Sequence, residues 1–129
     1  MSTTIKAATE TDSETMIFGT GFPANWSWWV SLDRDWEYPA EFPFDAPAGW
    51  MWRVTIEDPT RDGETITKEI RHKDLMAAFR KISGKDFEAR ASLKKQCRNM
   101  LLNVDEADMD AVDADAVLQV AMLGDIAFG

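Results

Sequence analysis

Cysteine occurs once in this chain, as Cys97, and histidine once, as His72. One cysteine cannot close an intramolecular disulfide, and the two residues together are too few ligands for a structural zinc site. That usage suits a reducing compartment, so a cytoplasmic location is expected. No stretch approaches the roughly 18 apolar residues that span a bilayer, and the polar segment Met1 to Thr15 lacks the apolar core of a signal peptide. No membrane partner and no cofactor are expected. Gly19 and Gly21 are not followed by the Gly-Lys-Ser/Thr of a phosphate loop, so with Pro23 they predict a turn.

Thiol catalysis would require His72, at a strand end, to reach Cys97, in an apolar helical stripe; Cys97 reads instead as a small core residue, and no enzyme is expected. Asp33 and Asp35 share a strand face, with Glu37 close behind. Nothing nearby separates their pKa values, so they read as solvated charges rather than an acid–base pair.

What the chain does have is tryptophan, six in 129 residues, all between residues 26 and 52. Trp26-Ser27-Trp28-Trp29-Val30-Ser31-Leu32-Asp33 returns as Trp50-Met51-Trp52-Arg53-Val54-Thr55-Ile56-Glu57. Alternation with a period of two, built from aromatic and β-branched residues, predicts two half-buried strands, at 26–33 and 50–57. Strict parity turns Trp26, Trp28, Val30 and Leu32 inward in the first, and Trp50, Trp52, Val54 and Ile56 in the second. Trp29 then lies on the outer face between Ser27 and Ser31, where an aromatic side chain suggests a contact site.

Between the strands, Pro39, Pro43 and Pro47 forbid a regular helix or central strand. Trp36, Tyr38, Phe42 and Phe44 are interleaved with them, which predicts a loop packed over the edge or end of the sheet. After the second strand, Asp58-Pro59 and Asp62-Gly63 predict a hairpin turn into a third strand at Glu64–Ile70. Leu75, Met76, Phe79 and Ile82 mark a helix over 73–82, stopped by Gly84. Asp86 is a candidate cap for a second helix ending near Asn103, with Leu93, Cys97, Met100, Leu101 and Val104 as its buried stripe. A third helix, capped by Asp110 or Asp113 and ended by Gly124, carries Val117, Leu118, Ala121 and Met122. Ile126 and Phe128 then extend along the sheet or pack on its edge.

Charge divides along the chain. Residues 1–70 carry five basic and thirteen acidic side chains, residues 71–104 nine and three, and residues 105–129 none and seven. Arg90, Lys94 and Arg98, at i, i+4 and i+8, form a basic ridge able to meet phosphates. The acidic tail folding back on it is the preferred account, and nucleic acid is not expected as a partner. The six acids of residues 105–115 lack the central Gly and terminal Glu of an EF-hand loop and read as a solvated linker, not a calcium site.

Ala114-Asp115-Ala116-Val117-Leu118-Gln119 and Leu123-Gly124-Asp125-Ile126-Ala127-Phe128-Gly129 resemble the ending of small accessory proteins encoded by tailed phages and prophages of actinobacteria. Asp35-Trp36, Val54-Thr55-Ile56 and Asp74-Leu75 are similar too, so the likeness covers residues 26–129. That family has no established activity, and no site residue is carried over. The resemblance implies a protein that binds a host or phage partner in the host cytoplasm.

The sequence thus predicts an α+β fold with a three-stranded, mainly antiparallel sheet and about three helices packed on one face. Residues 1–15 are expected as a loose arm, with Met16-Ile17-Phe18 opening a short strand at the start of a single domain, 16–129. The expected function is non-enzymatic interaction with a host or phage protein, or with a second copy of the chain. The alternative is a nucleotide-like ligand stacked on an aromatic surface. Candidate contact residues are Trp29, Trp36, Tyr38, Arg90, Lys94 and Arg98.

Overall fold

The computed structural model describes residues 4–19, 25–43 and 45–129. The expected turn from Gly21 to Pro23, the side chain of Phe44 and the first three residues of the expected arm lie outside them. In chain order the elements are α1 (Glu10–Ile17), β1 (Trp29–Arg34), β2 (Trp52–Glu57), β3 (Thr65–Ile70), α2 (His72–Ser83), α3 (Ala91–Leu102), a 3-10 turn (Val104–Glu106) and α4 (Ala111–Leu123). The strands form one antiparallel sheet in the order β1-β2-β3. The fold is therefore α+β, as the sequence predicts, with four α-helices among the described residues where about three were expected. Among the described residues no helix is long and apolar enough to cross a membrane.

The hairpin forms where Pro and Gly place it. Asp58 N–H donates to Glu64 O at 2.9 Å, the Asp58 carboxylate accepts from Thr60, and Gly63 takes φ +78°, a conformation that glycine adopts without steric cost. Trp52, Val54 and Ile56 of β2 point into the core, while Arg53 and Glu57 face solvent. β1 departs from simple alternation. Trp29 pairs with Ile56 but Ser31 pairs with Thr55, so Val30 is an extra residue bulged out of the ladder. A one-residue insertion exchanges the two faces of the strand on one side of it. Trp29 consequently joins Leu32 on the inner face and is 7 % exposed, whereas Val30, expected inside, is 53 % exposed. Trp29 is a core residue, contrary to the contact role predicted for it.

The helices cover the inner face. Leu75, Ala78, Phe79 and Ile82 are the buried stripe of α2, and Leu93, Cys97 and Met100 that of α3. α2 packs on α3 and α4, α1 packs on α2 and α4, and α4 meets β3. Every residue of α4 from Asp113 to Val120 is buried, the mark of a helix surrounded by the fold rather than lying on it. Asp110 caps its start, accepting from Asp113 N–H at 2.7 Å, and Gly124 ends it at φ +82°.

The expected loose arm is ordered from Thr4 onward. Lys6 and Ala8 donate backbone hydrogen bonds to Leu102 O and Met100 O, and Lys6 O accepts from Val104 N–H. Thr9 and Asp12 then make a reciprocal capping box that starts α1, at 3.1 and 2.9 Å. Met16 and Ile17, expected in a strand, lie in this helix. Its buried face consists of Ser13, Glu14 and Ile17, so it shows no apolar periodicity in the sequence.

Candidate functional site

Two polar constructions hold the tryptophans, and they differ in their access to solvent. The first lies within the core. Asp115 of α4 accepts from Trp28 Nε1 and Trp29 Nε1, both at 2.8 Å on Oδ1, and from Gln119 Nε2 at 2.9 Å on Oδ2. Gln119 Oε1 in turn accepts from the N–H groups of Ala127 and Phe128 at 2.9 and 2.8 Å. Phe128 is thereby stacked on Trp28, with ring centroids 5.5 Å apart and planes at 6°. This carboxylate is a structural anchor for β1 and the C-terminus.

The second construction opens toward the surface at the far end of β1. Arg34 stands opposite Trp52 in the sheet register, and its guanidinium carbon lies 5.4 Å from the Trp36 ring centroid, 4.9 Å from Tyr38 and 5.4 Å from Trp52. All three distances fall within the roughly 6 Å reach of a cation–π contact. The Trp36 ring is turned 79° from Tyr38 and 87° from Trp52, so the three rings form walls of a box rather than a stack. Each ring is hydrogen-bonded at its polar tip. Trp36 Nε1 donates to Met51 O at 3.3 Å, while Tyr38 OH and Trp52 Nε1 donate to Glu14 Oε2 at 2.6 and 3.1 Å. Glu14 is fully buried, and its other oxygen, Oε1, has no hydrogen-bond partner among the described residues. Burial raises the Glu14 carboxyl above its ordinary range, against the lowering effect of Tyr38, Trp52 and Arg34. The same burial and the facing carboxylate raise the Tyr38 phenol.

Trp36 and Tyr38, predicted as contact residues, therefore come together, with Arg34, Trp52 and Glu14 as partners. Arg34 lies over the rings on which a planar ligand would stack. Phe42, expected against the core, is instead 84 % exposed. It shares its connection with Asp35, Glu37, Glu41 and Asp45, all exposed, with Asp33 also exposed at the end of β1, and Arg34 is the one basic residue from 33 to 51.

The basic ridge is not a continuous surface. Arg90 pairs with Asp113 of the acidic tail. Lys94 Nζ donates to the carbonyls of Ile82, Gly84 and Phe87 at 2.8, 2.6 and 2.5 Å. Arg98 alone of the three is exposed with no side-chain partner among the described residues. The acidic run is likewise distributed: Asp105 pairs with Lys6, Asp110 caps α4, Asp113 meets Arg90 and Asp115 holds the indoles. Among the described residues no group of three or more His, Cys, Asp or Glu side chains is arranged to hold a metal ion. His72 Nδ1 lies 2.7 Å from Ser13 Oγ, which is fully buried and also bonds to Glu10 O. Burial pushes the Cys97 thiol up to about 12, opposite to the activation a nucleophilic thiolate requires.

Comparison with family models, with curated proteins and with solved structures finds no match to this chain.

Proposed function

We propose that this protein is a non-enzymatic interaction module, an accessory protein of the actinobacterial phage type, whose contact face is the acidic, aromatic connection between β1 and β2. The observation that carries this reading is Phe42, 84 % exposed on a connection whose carboxylates are exposed on both sides of it. A largely exposed aromatic side chain beside a polar rim has the composition of a binding hot spot. The single-sign charge favours a basic partner surface and would speed encounter with it. The partner is a host or phage protein met in the host cytoplasm.

The test is affinity capture with the tagged full chain against a variant carrying Glu37→Lys, Glu41→Lys and Phe42→Ser. These side chains are exposed, so the variant should keep its melting temperature. A partner retained by the wild type and lost by the variant is the expected result. An unchanged set of captured proteins would remove the connection from the reading, and sedimentation of both chains would report self-association through the same face.

A further inference from the structure

We propose that the box walled by Trp36, Tyr38 and Trp52 is a guanidinium-binding site that the free chain fills with its own Arg34, and that an arginine of a basic partner segment displaces it. This rests on the interaction reading above and names the chemistry of the partner.

Three observations carry it. The walls are held independently of their occupant, by Met51 O and the Glu14 carboxylate, so the box stays built when Arg34 swings out. Arg34, by contrast, is exposed and has no ion pair among the described residues, so the rings are what retain it. Stacking of an exposed cation on rings is weak enough to be exchanged for an equivalent contact. At the back of the box, one oxygen of fully buried Glu14 is held by two of the walls and the other has no partner among the described residues, which leaves an unpaired carboxyl oxygen beside a cation site. A guanidinium suits these walls better than an ammonium, because it is planar, stacks on aromatic faces and sheds water more readily.

The experiment titrates the full chain with the blocked tripeptide acetyl-Gly-Arg-Gly-amide and with its lysine counterpart, following the indole N–H resonances of Trp36 and Trp52. Arg34→Ala and Arg34→Gln empty the box in two ways, so one poorly folded variant does not end the test. An internal occupant lowers apparent affinity by the fraction of time the box is free, so both variants should bind the arginine peptide roughly ten-fold tighter than the wild type. Adding Trp36→Ala to Arg34→Ala should abolish the gain. Folded Arg34 variants that bind no tighter than the wild type, or equal affinity for the arginine and lysine peptides, would overturn the proposal. If the emptied box takes the arginine peptide while no partner is captured through the connection, the contact face is wrong and the box stands. If a captured partner binds wild type and Arg34→Ala equally, the box is wrong and the contact face stands.

Discussion

Replacing Asp115 by Ala removes the acceptor shared by Trp28, Trp29 and Gln119. Trp29 is 7 % exposed, so its indole N–H would be left without water or partner. Trp28 is half-buried and can recover part of its loss from solvent, and Gln119 keeps Phe128 O at 3.2 Å. Hydrogen bonds to a charged group contribute about 1.5–3 kcal/mol each. One full loss and two partial ones therefore come to about 3–5 kcal/mol, after allowing for the desolvation cost that leaves with the carboxylate. Against a total stability of about 5–15 kcal/mol this is severe. In urea, with a slope of about 2 kcal/mol per molar, the midpoint should fall by about 2 M. Asp115→Asn is the control: it keeps one oxygen for the indoles but turns an amide N–H2 toward Gln119, at a cost of about 1–2 kcal/mol. Equilibrium unfolding followed by tryptophan fluorescence measures both. If Asp115→Ala costs less than about 1 kcal/mol, or no more than Asp115→Asn, the carboxylate does not anchor β1 and the reasoning fails.

Trp29→Ala should cost about 3–5 kcal/mol, and more than Trp28→Ala, because the bulge at Val30 puts Trp29 in the core while Trp28 stays half-buried; paired urea titrations would show the reverse order if parity along β1 were unbroken. Glu14 gives a pH dependence with a defined sign. Its folded-state pKa is raised above the usual 4.5, so the native chain holds a proton that the unfolded chain has released, and stability from this group falls as pH rises through that window. The stability of the wild type relative to Glu14→Gln should therefore decline as pH rises above the ordinary carboxylate range, and a difference that grows with pH would contradict the assignment.

The elements legible in the sequence are those where one local signal suffices. Pro59 and Gly63 mark the hairpin, and Leu75, Phe79 and Ile82 recur at helical spacing on α2. The face of β1 was not legible, because a bulge inserts one residue without any compositional mark and Val30 is as good a strand former as its neighbours. α1 was hidden for another reason: its buried residues include Ser13 and Glu14, so its sole signature is the Thr9–Asp12 capping box in a polar segment. Missing α1 also hid the site. Trp36 and Tyr38 announce themselves as aromatics in a loop, but Glu14 belongs to the supposed arm, and Arg34 reaches the rings through a register that only the folded sheet defines.

Lys94 has a consequence beyond the loss of a basic ridge. Three carbonyl oxygens, from the end of α2 and the segment after it, converge on its ammonium as ligands converge on a bound potassium ion. The turn joining α2 to α3 thus behaves as an ion-binding loop whose ion is tethered to the backbone and arrives with the following helix. Such a loop has no dissociation equilibrium with the medium. Its order follows the docking of α3 and is indifferent to chelators or to which salts surround it, whereas acylation of that one nitrogen would strip out the ion and leave the oxygens facing each other.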